Sequence, residues 1–372
     1  MTFRTSLCEV LGIEYPIVQS GMGGVAGPEL AAEVSNAGAL GVLAGVMQPP
    51  EQIRADIRRI RTLTDRPFGV NLWLYAGLRP PPAAETVSDA TMAAVQRPLD
   101  TFRARLGLPP ASTRPAPPPD ILDASVQVVL EERVPVLSTI FGPPDRALAA
   151  ECHRRGMKVI AMVATVDDAR AVASAGCDAV IAQGAEAGGH RSTMEKTAAP
   201  EADAVGTIAL VPQVAEAVDV PVIAAGGIAD GRGLVAALAL GAAGALLGTR
   251  FVATRESAAA EVWKKAILER DGRGTTLTDA FTGLWARTMR TAFTEEHRAS
   301  GAPVLPALWQ ALAARDLYVA AVKANDGDYF PMYSGQSAGI IHDLPGAREV
   351  VQEIVREARA VMTSLDARVQ TR

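Results

Sequence analysis

The sequence predicts an α/β fold, a closed (β/α)8 TIM barrel, on three observations. Short apolar runs recur at eight places, beginning near residues 15, 40, 67, 134, 157, 178, 221 and 245. Most are followed by a stretch with helical spacing of apolar residues. The run at 179–182 is apolar throughout, as a parallel strand buried on both faces requires. Strands alternating with helices imply a parallel sheet, and eight such units imply closure into a barrel. A doubly wound open sheet would explain the alternation equally well, but not the count.

The first strand is YPIVQS, 15–20, ending in Gly21-Met22-Gly23-Gly24. Pro28 opens a helix where its missing N–H costs little, and Gly38 stops it. A second strand spans 40–44. A helix from Pro49-Pro50 to about Leu63 places Ile53, Ile57 and Ile60 on one face. PFGVNLWL, 67–74, is the third strand. The rhythm then breaks in a Pro-rich segment, about 76–119, with a weakly amphipathic middle at 91–106. A structureless loop of that length is unusual inside a compact domain, so the segment reads as an insertion on the barrel rim. Helices at 121–131, 145–155, 166–175, 205–218 and 231–240 then alternate with strands at 134–139, 157–163, 178–182, 221–225 and 245–247. Beyond Phe251 the pattern turns helical, at 257–270 and within 303–323, around a polar, Arg-bearing stretch at 275–298. The resulting organisation is a barrel over 1–252, a helical lid segment over 253–343, and a C-terminal helix over 344–372 that packs on the barrel.

A net charge of −5 argues against general nucleic-acid binding, which needs a basic face. Residues 1–12 do not read as a secretory leader, and no apolar run is long enough for a membrane span. The three cysteines, Cys8, Cys152 and Cys177, are scattered in the way reduced thiols of a cytoplasm are. His153, His190, His297 and His342 are too dispersed for a metal site, so no metal is expected.

The chemistry should lie at the strand C-termini. The sixth strand runs into GAEAGGH, where Gly184, Gly188 and Gly189 surround Glu186 and precede His190. Such glycines let the backbone turn sharply and approach a ligand. A histidine on that rim can exchange protons near neutral pH; the bland alternative is a tight turn with a surface histidine. The loops after strands seven and eight, Ala225-Gly226-Gly227 and Gly248-Thr249-Arg250, stand where this fold commonly holds a phosphate. The first opens towards a helix N-terminus, whose N–H groups and dipole attract an anion. Arg250 can add a charge-assisted bond or pair with a nearby carboxylate. Asn71 and Gln183 offer amides able to donate and accept to a planar ring, and Met22-Gly23-Gly24 offers backbone. Ordinary capping is the alternative for each.

In combination, GMGG at 21–24, GVNLW at 69–73, AQGAEAGGH at 182–190, PVIAAGGIADG at 221–231 and GTRF at 248–251 resemble the nitronate monooxygenase family. Tyr333-Ser334-Gly335-Gln336 fits the same pattern. The resemblance implies a TIM barrel holding FMN non-covalently. It implies Gly226, Gly227, Gly248 and Thr249 at the phosphate, Asn71 and Gln183 near the flavin, and Gly21, Tyr333, Ser334, Gly335 and Gln336 among the cofactor contacts. It also implies His190 as the catalytic base, nitroalkanes or nitronates and O2 as substrates, and carbonyl compound and nitrite as products. A homodimer is compatible with it. Flavin-dependent enoyl-[acyl-carrier-protein] reductases and quinone reductases share these motifs, so an NAD(P)H-dependent reductase is the alternative. A non-enzymatic flavin carrier would leave His190 without a task.

Overall fold

The computed structural model describes residues 3–74, 83–194, 196–198, 200–201 and 204–370. Eight parallel strands form the barrel: β1 (Ile17–Gln19), β2 (Gly41–Ala44), β3 (Phe68–Trp73), β4 (Val136–Ile140), β5 (Lys158–Val163), β6 (Ala179–Gln183), β8 (Val222–Ala225) and β9 (Gly244–Leu247). A short β7 (Gly189–His190) lies outside the barrel sheet. The hydrogen-bonded order is β1-β9-β8-β6-β5-β4-β3-β2. Ends β1 and β2 meet at one bridge, Val18 to Leu40. The buried side chain of Gln19 completes that seam. Its Oε1 accepts from Val42 N at 2.9 Å and its Nε2 donates to Val42 O at 3.2 Å. One amide thus stands in for the peptide group that so short a strand lacks.

The alternation of side chains along each strand sorts the core into two layers. Val70, Leu137, Val159, Val180, Ala224 and Leu247 point outwards to the helices. Val18, Val42, Val136, Ile160, Ile181 and Ile223 fill the barrel. The inward set extends to Asn71, Trp73, Ile140, Met162, Gln183, Ala225 and Leu246 at the C-terminal ends. Helix α1 (Ser6–Leu11), which the sequence does not announce, plugs the opposite end with Leu7, Cys8 and Leu11.

The outer helices follow the expected order: α2 (Pro28–Asn36), α3 (Pro50–Leu63), then α4 (Asp89–Arg105), α5 (Leu122–Glu131), α6 (Arg146–Arg154), α7 (Val166–Ser174), α8 (Thr207–Ala217) and α9 (Gly231–Ala239). Ile53, Ile57 and Ile60 of α3 are all fully buried. Residues 75–82, which include the start of the Pro-rich segment, lie outside the described residues. Its helix α4 is capped by Ser88 and packs Val95, Leu99 and Phe102 against Phe281, Phe293 and Trp309. Buried Arg103 anchors it to Asp316 at 2.8 Å and the Ala313 carbonyl at 2.7 Å, and also pairs with Asp100 of the same helix at 2.7 Å.

After the barrel come α10 (Thr249–Val252), α11 (Glu261–Glu269), β10 (Thr275–Thr278), β11 (Ala286–Met289), α12 (Ala292–Ser300), α13 (Trp309–Ala313), α14 (Arg315–Lys323) and α15 (Ala347–Gln370). The polar, Arg-bearing stretch at 275–298 forms β10, β11 and most of α12. Strands β10, β11 and β7 make a small antiparallel sheet, with Ala286 opposite His190. Helix α15 lies on α9 so closely that a Cβ on Gly231 would come within 2.3 Å of Ala358 N. No helix among the described residues is long and apolar enough to cross a membrane.

Candidate active site

A cavity of about 350 Å³ opens at the C-terminal ends of the strands. Gly21, Met22, Gly23 and Gly24 line it after β1, Asn71 and Trp73 from β3, and Gln183, Gly188, Gly189 and His190 around β6 and β7. Ala225, Gly226, Gly227, Gly248 and Thr249 line it after β8 and β9. Residues 253–343 roof it with Trp263, Thr282, Leu308, Tyr318 and Tyr333. Among the described residues, no Asp, Glu, Lys or Arg reaches this wall.

His190 is held from three sides. Its Nε2 lies 2.8 Å from Thr282 Oγ1. Its carbonyl accepts from Gln183 Nε2 at 2.7 Å. Its ring stands edge-on to Trp73, centroids 4.7 Å apart, and 5.1 Å from the Tyr333 ring. Burial without a counter-charge pushes its pKa down to about 3, so the ring is neutral at neutral pH. The Thr282 hydroxyl can donate to Leu284 O at 3.4 Å. It then accepts from His190 Nε2–H, which leaves the lone pair on Nδ1. Nδ1 has no partner among the described residues.

Gln183 lines the cavity, yet both ends of its amide are spent on this loop. Beyond the His190 carbonyl, its Oε1 accepts from Ser192 N at 2.8 Å. Ser192 in turn donates Oγ to Met162 O at 2.6 Å and accepts from Phe141 N at 3.2 Å. Arg191 is buried and donates to Gly184 O at 2.8 Å. Burial, then repulsion from Arg287, pull its pKa down to about 10. Neither Arg191 nor Ser192 lines the cavity. Asn71 donates Nδ2 to Ser138 Oγ at 3.1 Å, which keeps its Oδ1 available as an acceptor.

The glycine loops form a cradle. Gly226 and Gly227 hold φ of +108° and +74°, and a Cβ on Gly226 would meet Ala187 N at 2.9 Å. A Cβ on Gly248 would stand in ordinary van der Waals contact with Met22 Sδ at 3.6 Å, so the position accepts one without a clash. The helix N-terminus invoked from the sequence is otherwise engaged. In α9, Asp230 Oδ1 takes Gly233 N at 3.0 Å and Glu357 Oε2 takes Gly231 N at 2.7 Å. The cradle is therefore the glycine backbone, with Thr249. The Thr249 oxygen accepts from Gly335 N at 2.9 Å and retains its own O–H to donate.

Four sequence-selected residues stand off the cavity. Arg250 turns away to pair with Asp343 at 2.7 Å and with the Ala253 carbonyl at 2.8 Å. Ser334 accepts from Trp263 Nε1 at 2.9 Å. Gly335 backs Gly188, where a Cβ would come within 2.5 Å of Gly335 N, and Gln336 N donates to Glu186 O at 2.9 Å. Glu186 caps α8, accepting from Thr207 N at 2.9 Å and Thr207 Oγ1 at 2.8 Å. Conversely, Trp73, Thr282, Trp263, Tyr318 and Leu308 belong to the site without having been selected. Alternation from Asn71 could have found Trp73. No spacing in the sequence links Thr282 to His190.

Fold and cavity define an α/β-barrel protein with a cavity at the strand C-termini, beside a neutral histidine. A family model described as nitronate monooxygenase matches residues 4–357. The chain is 36% identical to a nitronate monooxygenase of Paraburkholderia phytofirmans, over 98% of both chains. Its structure is similar to that of a nitroalkane oxidase from Streptomyces ansochromogenes, with a TM-score of 0.87, 37% identity, and coverage of 97% and 100%. It is also similar to FabK from Thermotoga maritima, with a TM-score of 0.75, 33% identity, and coverage of 98% and 99%. The chain belongs to the nitronate monooxygenase family of flavin-dependent oxidoreductases.

Proposed function

We propose that the protein oxidises nitroalkanes or alkyl nitronates with O2 to a carbonyl compound and nitrite, using FMN and His190 as general base. The observation that carries this reading is the neutral, buried His190 ring, fixed by Thr282 and Gln183 in the wall of an uncharged cavity. The open glycine cradle fits a phosphate held by backbone donors, with Thr249 adding a hydroxyl. Asn71 offers a side-chain acceptor for a ring N–H. Bound there, the flavin supplies electron acceptance and the reaction with oxygen.

The chain's own part is proton transfer and positioning. His190 Nδ1 takes the α-proton of a nitroalkane; the C–H electron pair moves into the nitro group, giving a nitronate and an imidazolium. The new cation and the new anion stabilise each other, which raises the basicity of His190 as the proton moves. Trp73 and Tyr333 keep water from the ring.

The likeness to FabK, at 33% identity, favours a second reading, an NAD(P)H-dependent reductase on the same site. Oxygen uptake and nitrite release with nitroethane and with ethyl nitronate, against NADH oxidation, test the two. Nitrite release without NADH is expected; NADH oxidation without action on either nitro form would replace the first reading by the second. Denatured protein should release FMN, measured by chromatography; a protein that takes up no FMN on titration would overturn the cofactor.

A further inference from the structure

A second, smaller cavity of about 100 Å³ adjoins the main one, between the ends of β2 and β3 and the start of α5. Val46, Met47, Trp73 and Leu308 line both spaces. Leu72 and Leu122 close the far side of the annex. Its polar residues do little to change its character. Ser125 is buried and spends its hydroxyl on Ile121 O at 2.8 Å, and Asp120 lies at the exposed mouth. In the shared wall, Leu308 is buried and holds φ of +61°, while Met47, at +56°, is exposed. Residues with a Cβ keep that conformation only where their surroundings over-determine it, often at ligand sites. The Leu308 N–H donates to Thr282 O at 2.7 Å, so the wall is tied to the residue that holds His190.

We propose that this annex is a substrate subsite that takes an unbranched, uncharged alkyl chain. The inference rests on the nitroalkane reading for the identity of the reacting group, but not for the existence of the subsite. With the reacting carbon at His190, the chain passes Trp73, whose ring is 4.7 Å from the imidazole, and enters between Met47 and Leu308. Among the described residues neither Lys nor Arg lines either space, so a carboxylated chain would find no counter-ion. An apolar cavity of roughly 150 Å³ accepts a benzene ring, so the annex has room for about three or four carbons beyond the reacting end. The protein should therefore prefer 1-nitropentane and 1-nitrohexane to nitroethane.

The test is kcat/KM for the series from nitroethane to 1-nitrohexane, in the wild type and in Leu122→Trp, which fills the annex from its far wall. The FMN-loaded protein is also titrated with 1-hexanol by calorimetry, a readout that needs no turnover. In the wild type, kcat/KM should rise about fourfold per methylene buried, the worth of removing a CH2 from water. In Leu122→Trp the nitrohexane-to-nitroethane ratio should fall at least tenfold, and hexanol binding should weaken with it. Leu122→Phe provides a smaller filling, should the tryptophan variant not fold. Hexanol binding that is lost in the variant, without turnover of any nitro compound by the wild type, would keep the subsite and remove the nitroalkane reading. A flat chain-length series, equal losses at every length, or hexanol binding that the filled variant retains would overturn the subsite.

Discussion

Replacing His190 by Gln separates base catalysis from support of the cavity. The longer amide can reach the Thr282 hydroxyl, which now lies 2.8 Å from His190 Nε2. The carbonyl accepting from Gln183 at 2.7 Å belongs to the backbone and survives. What disappears is the proton acceptor. No carboxylate lines the cavity among the described residues, and burial holds the Tyr318 and Tyr333 hydroxyls protonated by raising their pKa values. With no substitute base in the wall, kcat/KM for nitroethane should fall towards the upper end of the roughly 10²–10⁴ that a positioned base provides. Ethyl nitronate has already lost its proton. It should lose less than about tenfold, the worth of one hydrogen bond at about 1.4 kcal/mol. The assay is kcat/KM for both forms of the same compound in both proteins, with bound flavin counted. Equal losses for the acid and the anion would refute the assignment, and so would loss of flavin from the variant.

Thr282→Val should lower nitroethane kcat/KM about tenfold at unchanged flavin content, because the Nε2 partner is lost; an unchanged rate would remove Thr282 from positioning. Gly248→Asp should weaken FMN binding at least tenfold, about 1.4 kcal/mol, by setting a carboxylate in the open cradle. Gly248 is the better site than Gly227, whose φ of +74° would strain any side chain. Wild-type nitroethane kcat/KM should be level between about pH 5 and 7, since His190, with its pKa near 3, is already neutral there; an inflection near 6.5 would show a solvated ring. The same shift enters stability with a definite sign: an unfolded histidine gains its proton below pH 6.5, the folded one only near 3. Flavin-free wild type should thus lose up to about 1.4 kcal/mol per pH unit below 6.5 relative to His190→Gln, read by urea unfolding.

The barrel was legible because its strands are buried on both faces and punctuated by Gly and Pro, which makes eight apolar runs countable. Asn71, Gln183 and the glycine loops were legible as strand ends. Their individual tasks were not, because these depend on partners far away in the chain. Gln183 reads as an amide for a ring, yet it is committed to His190 and Ser192, seven and nine residues on. Arg250 reads equally as a phosphate ligand or as the partner of a carboxylate, and Asp343, 93 residues away, makes it the second. The N-terminus of α9 reads as an anion site, yet Glu357 arrives from α15 to occupy it. Thr282 was invisible, because the β7–β11 pairing that brings its loop to His190 joins Gly189 and His190 to Arg287 and Ala286, far along the chain, with no periodicity between them.

These long-range contacts share one consequence, which bears on the proposed reaction. Each charged group that the sequence places near the strand ends is drawn out of the cavity: Arg250 to Asp343, Glu186 to the start of α8, and Arg191 to the Gly184 carbonyl. What remains in the described wall is backbone, hydroxyl, amide, aromatic and a neutral imidazole. In such surroundings an isolated charge is costly, while a pair created together is much less so. Proton transfer from a neutral nitroalkane to a neutral His190 makes both members of that pair at once, in contact. A site bearing a fixed cation would bind the nitronate before reaction and gain less at the transition state. Adding a cation to the wall, as in Ser337→Lys, should accordingly tighten nitronate binding while lowering the ratio of nitroalkane to nitronate kcat/KM. A ratio that rose instead would show that the absence of charge is no part of how this site works.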